Sequence, residues 1–302
     1  MTATATLQAA GALLLNLALA WMLAAVLAGR WLRAGGQADE LAWALKARAS
    51  LDKSMPVAAL VGLLASWAAL WAAAAAMADV PLGEAADAFS MLLSRSAYGR
   101  IGAAGGFCLL LVVALYWFGR RLAGRDWIAL LLLGGFAFSR AGNSHAAEHG
   151  LLSAGVLVEW LHLLLICVWV GAVAVAGWLV LPLASSRSGA PARYLELLSD
   201  AATFALAGIA ASGVYNAWRV FGTWAQVGTG AYETTLAVKL LLVALAVAVG
   251  GYNKFVGFPG AAVGRTGAMT RITTLLQLES VALAGAMLAA VVLAAMPPPA
   301  SM

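Results

Sequence analysis

The sequence predicts an all-α protein, in which a bundle of about eight membrane-spanning helices forms a single integral membrane domain over residues 1–302. Of the 302 residues, 64% are hydrophobic and 10% are charged, whereas soluble domains carry roughly a quarter charged residues. The apolar residues also form long runs, and a helix needs roughly 17 to 25 apolar residues to cross a bilayer. A water-soluble fold is therefore excluded.

Eight apolar runs are candidate spans. Arg30 and Arg33 follow the first run rather than precede it, which argues against a cleaved signal peptide. Arg140 interrupts the end of the fourth run, and the fifth run is the longest and ends near Pro182. The runs cover approximately residues 7–29, 56–78, 100–118, 127–144, 151–182, 198–221, 232–254 and 272–296.

The positions of the basic residues predict how the helices are oriented. Thirteen of the eighteen Lys and Arg residues fall in the first, third, fifth and seventh loops. Short loops that are rich in Lys and Arg are retained on the cytoplasmic side of a membrane. We therefore expect those four loops to face the cytoplasm of a bacterial cell, and both chain termini to face the periplasm.

Several classes of chemistry lack the motifs that they need. Cys108 and Cys167 lie in separate apolar runs, so they provide neither a disulfide framework nor a Cys-based zinc site. The sequence contains no Walker loop, dinucleotide-binding fingerprint, HExxH motif or GxSxG elbow. We therefore predict that the protein is not an enzyme, and ATP-driven transport has no support.

All three histidines fall within eighteen residues of one another. His145 and His149 lie in the fourth loop, and in an α-helix their i,i+4 spacing would place two imidazoles on one face, where they could chelate a metal ion. Imidazole is a ligand for copper, zinc, iron and nickel. The alternative is that both are ordinary exposed loop histidines.

His162 and Glu159 are predicted to share one face of the fifth span. Ionisable groups within a bilayer are costly and are retained mainly where they line a pathway or form a pair. Two structural alternatives are open for these residues. Glu159 would pair with Lys239, which lies at a similar depth in the seventh span, or His162 would be a neutral core histidine bonded to a carbonyl.

Methionine and one further acidic residue complete the candidate ligands. Met77, Met91 and Met296 lie on the same predicted side of the membrane as the histidines, and a thioether selects Cu(I). Scattered methionines also fill gaps in apolar cores, which is the alternative for all three. Glu279 lies deep in the eighth span, where it is either a ligand on an exit path or a partner for a basic residue.

Several short motifs resemble elements of the copper resistance protein D (CopD) family. Residues 142–147 read Gly-Asn-Ser-His-Ala-Ala, residues 159–164 read Glu-Trp-Leu-His-Leu-Leu, and residues 169–171 read Trp-Val-Gly. They are similar to the GHAA, HLL and WxGG elements of that family. The resemblance is stronger over residues 100–302 than over residues 1–99. It continues through Ser212 to Asn216, Tyr232 to Leu236, Lys239, Asn253, Lys254 and Glu279.

This resemblance implies a role in copper handling at the bacterial inner membrane, commonly alongside a periplasmic copper-binding protein of the CopC type. It also implies movement of copper toward the cytoplasm. Two positions depart from the family pattern. Ala172 replaces the second Gly of WxGG, and His149 lies outside the shared motif, so no ligand set is transferred from the family.

Together these observations predict an inner-membrane copper transporter, with His145 and His149 as outer capture ligands and Glu159 and His162 as a deeper site. The His and carboxylate ligands suit Cu(II), whereas Cu(I) would recruit Met, so the oxidation state stays open. Two other functions also stay open: a redox protein that binds haem b between its helices, and a non-transporting receptor for the periplasmic copper carrier. Membrane lipid is an expected partner, and the oligomeric state is not predicted.

Overall fold

A computed structural model describes residues 3–33, 38–119, 121–184, 191–221 and 230–296 of the chain. About nine tenths of these residues are helical, and they contain no β-strand. Seven helices in the described ranges are long and apolar enough to cross a membrane. The predicted all-α polytopic bundle is therefore confirmed.

The first two helices form one wall of the bundle. Helix α1 (Ala3–Trp31) packs along α2 (Ala38–Ala78), which is a single helix of 41 residues with Pro56 inside it. The apolar run at residues 56–78 accounts for little more than half of α2. Its first half is also helical because it buries Trp43, Ala47 and Leu51 against the bundle core.

A short surface helix, α3 (Ala86–Arg95), leads into α4 (Ala97–Phe118), and α5 (Arg125–Gly142) follows. Helix α5 corresponds to the fourth predicted span, residues 127–144, but it is not among the seven apolar candidates. The physical reason is its charge, because three of its 18 residues are Arg125, Asp126 and Arg140.

Contacts at its two ends nevertheless show that α5 runs from one end of the bundle to the other. At its start, Nη2 of Arg125 lies 2.7 Å from Oδ1 of Asp52, which precedes the apolar part of α2. Just beyond its end, Nδ2 of Asn143 donates to the backbone oxygen of Tyr98, at the start of α4, over 3.0 Å. Eighteen residues rise about 27 Å, close to the roughly 30 Å of a hydrocarbon core. This geometry supports α5 as the eighth crossing.

Helix α6 (Ala154–Val175) is central, because it packs against α1, α5, α7 and α10. It continues into a π-helical turn (Ala176–Val180) and a 3-10 turn (Leu181–Leu183). Gly171 brings α6 very close to α1, since a Cβ atom at this position would overlap the backbone oxygen of Ala20. The small residue therefore sets how closely the two helices approach.

The last three spans are α7 (Ala192–Phe221), α8 (Ala231–Tyr252) and α10 (Ala268–Ala294). A π-helical turn (Asn253–Gly257) and the short helix α9 (Phe258–Ala262) extend α8. In their most apolar stretches, 17% of α7 and 6% of α8 is buried, against 61% of the span that contains α6. Helices α7 and α8 therefore lie at the periphery, and polar groups between them and α6 are close to the lipid-facing surface.

Candidate functional site

Two polar side chains of α6 are each hydrogen-bonded to a polar side chain of α7. Nδ2 of Asn216 donates to Oε2 of Glu159 over 2.9 Å, and Nδ1 of His162 lies 2.8 Å from Oγ of Ser212. His162 follows Glu159 by three residues on α6, whereas its partner Ser212 precedes Asn216 by four residues on α7. The two helices are therefore antiparallel here. Glu159 and His162 therefore share the face of α6 that the sequence spacing predicts, and that face is turned toward α7.

The hydrogen bonds of Ser212 determine which nitrogen of His162 carries the proton. Oγ of Ser212 lies 2.5 Å from the backbone oxygen of Gly208, which can only accept, so the single hydroxyl proton is donated there. The same oxygen must then accept from His162, which places the proton of the neutral imidazole on Nδ1. Nε2 of His162 consequently keeps its lone pair, and no described residue forms a hydrogen bond with it. This is the arrangement found around histidines that bind metal through Nε2.

Lys239 of α8 adds a positive charge beside this pair. Its ammonium group interacts electrostatically with both Glu159 and His162, and all three side chains are half-buried. Glu159 and Lys239 therefore lie within range of an electrostatic attraction, which the predicted structural alternative requires. It coexists with the hydrogen bond from Asn216. We call Glu159, His162, Ser212, Asn216 and Lys239 the α6–α8 cluster.

The structure does not place His145 and His149 as an α-helical pair. Residues His145–His149 form a 3-10 helix, in which residues three apart are aligned and residues four apart point about 120° away from each other. His145 accordingly lies beside Glu148, with 3.5 Å between Nδ1 and Oε1. The His145 side chain is 96% exposed, and His149 is exposed as well. Both imidazoles are therefore open to the medium at one end of the bundle.

The three candidate methionines occupy different surroundings. Met77, at the end of α2, and Met91, in α3, are exposed. Met296 is half-buried just after α10, and its sulfur lies 4.0 Å from Oγ1 of Thr235 on α8. Thr235 is one helical turn before Lys239 on the same face of α8. Met296 is thus within about one turn of the level of the α6–α8 cluster.

Glu279 lies in a second polar region, where α6, α8 and α10 meet. It is 2% exposed, and its Oε1 accepts a 3.2 Å hydrogen bond from Nε1 of Trp169. Its Oε2 is buried and has no hydrogen-bond partner within the described residues. A Cβ atom at Gly250 of α8 would lie 2.9 Å from Oε1, so glycine makes room for the carboxyl group. Within the described residues, the hydrogen-bond partner of Glu279 is therefore an indole, and not the basic residue that was one of the two predicted alternatives.

Asn253, which belongs to the residues that resemble the CopD family, has unusual surroundings in the structure. Asn253 begins the π-helical turn one helical turn after Gly250, and it is 1% exposed. Neither Nδ2 nor Oδ1 of Asn253 forms a hydrogen bond in the described part of the chain. A buried amide without partners costs roughly 1–3 kcal/mol. The carboxyl oxygen of Glu279 and the Asn253 amide thus leave unused hydrogen-bonding capacity on neighbouring helices.

These residues do not form one complete metal site. Across the described ranges, no group of three or more His, Cys, Asp or Glu side chains could hold a metal ion. The predicted ligands are instead distributed in three places: the exposed His145–His149 helix, the α6–α8 cluster, and the region around Glu279. Each place offers one or two of the predicted His and Glu ligands.

The fold defines a polytopic helical membrane protein with ionisable side chains inside its bundle. Residues 192–293 match the family model described as Copper resistance protein D, so the resemblance predicted from the motifs is confirmed, and the chain is a copper-related membrane protein. The matched third of the chain contains Ser212, Asn216, Lys239 and Glu279, whereas Glu159 and His162 precede it. Comparisons with curated proteins and with solved structures each gave no match.

Proposed function

We propose that this protein carries copper across the bacterial inner membrane, from the periplasmic face toward the cytoplasm. The observation that carries the proposal is the free lone pair on Nε2 of His162, whose ring is held by Ser212 on the same face of α6 as Glu159. Imidazole nitrogen and carboxylate oxygen are ligands for Cu(II), and an adjacent thioether favours Cu(I). The match to the Copper resistance protein D model supports copper as the transported ion.

The proposed path begins at His145 and His149, whose exposed imidazoles would capture copper. It continues to Glu159 and His162, about one to two helical turns inside α6, at ~1.5 Å per residue. Glu279, whose partner Trp169 lies two helical turns beyond His162 on α6, would serve a later step. Sites with only one or two ligands suit such a path, because a transported ion must leave each site as readily as it binds there.

The orientation is part of the proposal. Helix α5 starts at a basic end of the bundle that holds Arg30, Arg33, Arg48 and Arg125, and it ends next to the His145–His149 helix. Membrane proteins retain such basic ends on the cytoplasmic side. The histidines would then face the periplasm together with both termini, Met77 and Met91. A periplasmic copper-binding protein of the CopC type would deliver copper to this surface.

Copper content and copper flux together test the proposal. We expect purified wild-type protein to retain His162-dependent copper after loading, and we expect His162→Ala to lose about one equivalent by elemental analysis. Ser139→Ala is a matched control, because Ser139 is a buried serine that donates to a backbone oxygen on α5, away from the α6–α8 cluster.

Flux into proteoliposomes then separates the candidate functions. Transport predicts copper uptake by the wild type and by Ser139→Ala, and little uptake by His162→Ala. Copper binding without flux would instead indicate a receptor for the periplasmic carrier. A Soret band that disappears in His162→Ala would indicate a haem protein. Equal copper content and equal flux in all three proteins would refute a role for His162.

A further inference from the structure

A cavity of about 470 Å³ lies at the basic end of the bundle, far from the histidines. It is formed where α1 ends, where the first half of α2 passes, and where α5 begins. Its charged lining consists of Arg30, Arg33, Arg48, Asp52, Arg125 and Asp126.

The ion pairs within this lining leave a net positive charge. Arg33 forms an ion pair with Asp126, and Arg125 lies 2.7 Å from Asp52 and 3.6 Å from Asp126. The two aspartates therefore balance two of the four arginines.

The other two arginines have no carboxylate partner among the residues that the structure describes. Arg30 stacks over the Trp127 ring, with 4.0 Å between its guanidinium carbon and the ring centroid. Arg48 forms no ion pair or side-chain hydrogen bond with any described residue, although it is half-buried. Two guanidinium groups in one concave site are therefore not neutralised by any carboxylate of the described residues. Planar guanidinium groups bind phosphate oxygens in pairs of parallel hydrogen bonds.

The surroundings of the cavity are apolar and exposed. Leu122 and Trp127, which also line the cavity, are exposed large hydrophobic residues. Trp117 and Phe118, at the end of α4, are exposed too, and Phe118 reaches 85%. Tryptophan is enriched where a membrane protein meets the headgroup region. The cavity mouth is thus bordered by a surface suited to acyl chains, with the arginines at headgroup level.

We propose that this cavity binds a phosphate-type anion, and the apolar border favours the headgroup of an anionic phospholipid over free phosphate as its source. Basic pockets between transmembrane helices commonly receive such headgroups. The bound phosphate would bridge Arg30 on α1 and Arg48 on α2, next to the ion pairs that connect both helices to α5. This site is independent of the proposed copper path.

Lipid retention, measured by native mass spectrometry on the full chain in detergent, tests the proposal. Phosphatidylglycerol is the probe and phosphatidylcholine is the uncharged comparison. We expect Arg30→Gln and Arg48→Gln each to weaken phosphatidylglycerol binding about fivefold, since a basic residue near a charged lipid surface contributes on the order of 1 kcal/mol. Raising the salt concentration should weaken binding to the wild type as well.

Two further variants make the experiment selective. Lys46→Gln removes one positive charge two residues before Arg48 on the same helix, but Lys46 is exposed and lies outside the cavity lining. It should change binding less than twofold. Arg48→Lys keeps the charge and should keep most of the affinity, which guards against a loss caused by misfolding.

Inorganic phosphate distinguishes the two sources of the anion. If millimolar phosphate leaves phosphatidylglycerol bound, the site is specific for the lipid headgroup. If phosphate displaces the lipid from the wild type but has no effect in Arg30→Gln/Arg48→Gln, the site accepts the free anion. Equal retention of phosphatidylglycerol by wild type and the double variant, or equal losses in Arg48→Gln and Lys46→Gln, would overturn the proposal.

Discussion

Ser212 orients His162: its hydroxyl oxygen lies 2.8 Å from Nδ1 of the imidazole and 2.5 Å from the backbone oxygen of Gly208. The serine sits on α7 and the histidine on α6, so the bond also joins the two helices. Since the hydroxyl proton is committed to Gly208, the serine presents only lone pairs to the ring. A hydrogen bond of this kind fixes the orientation of a metal-binding histidine and leaves Nε2 for the metal.

We therefore expect Ser212→Ala to weaken copper binding about 10- to 100-fold, as the loss of a residue that orients a ligand typically does. The alanine removes the acceptor for Nδ1, so the imidazole can rotate or change tautomer. Competitive titration of copper against a chelator measures the affinity. Ser212→Thr keeps the hydroxyl and should restore most of it, while Ser139→Ala should match the wild type. An unchanged affinity in Ser212→Ala would contradict the assigned role.

The positive charge of Lys239 predicts the direction in which copper affinity should change when this residue is replaced. Lys239 interacts electrostatically with His162, and a positive charge there disfavours a copper cation on the same imidazole. Lys239→Gln should therefore strengthen copper binding about fivefold, or ~1 kcal/mol, in the same titration.

Lys254→Gln is the matched control for this prediction, because Lys254 follows α8 some four turns further on and donates to Oγ1 of Thr203 instead. It should leave the affinity unchanged. A weaker affinity in Lys239→Gln would mean that Lys239 supports the copper site, for example by holding the carboxylate of Glu159 in place.

Much of the fold was predictable because long apolar runs in a bilayer have few alternatives to helix. The two departures have local causes. Helix α2 begins well before its apolar run because Trp43, Ala47 and Leu51 recur on one face and are buried. Helix α5 has the composition of a borderline span, and only its contacts with Asp52 and Tyr98, distant in sequence, indicate that it crosses.

The site was predictable in part. The i,i+3 spacing of Glu159 and His162 indicates a shared face, and the matching i,i+4 spacing of Ser212 and Asn216 on the next span could have indicated their partners. The 3-10 geometry of residues His145–His149 was not predictable, because five residues do not distinguish a 3-10 helix from an α-helix. The pairing of Glu279 with Trp169 depends on how α6 and α10 pack, which spacing within one helix does not reveal.

Gly171 provides a test of the packing between α1 and α6. A Cβ atom at this position would overlap the backbone oxygen of Ala20, and a backbone atom cannot move aside without shifting α1. Gly171→Ala should therefore destabilise the protein by about 1–3 kcal/mol, the usual range for overpacking. Thermal unfolding in detergent is the measurement.

Gly29→Ala is the control for Gly171→Ala, because a Cβ atom at Gly29 would meet nothing within 4 Å. Alanine is also the better helix former, by about 1 kcal/mol, so this variant should be as stable as the wild type or more stable. Equal melting temperatures for Gly171→Ala and the wild type would show that α1 and α6 are not in tight contact at this position.

The last prediction concerns the carboxyl group of Glu279. Its replacement should leave thermal stability intact but lower copper flux. Burying an ionised carboxylate with one donor, the Trp169 indole, costs several kcal/mol, whereas glutamine has nearly the same shape and no charge. Glu279→Gln should therefore fold with unchanged or higher thermal stability. If Glu279 serves a step of copper movement, the same variant should lose most of its copper flux in proteoliposomes while its His162-dependent copper content stays normal.

Glu196→Gln is the matched control, because Glu196 is exposed on α7 and pairs with Arg193. A stable Glu279→Gln protein with wild-type flux would restrict Glu279 to a structural role.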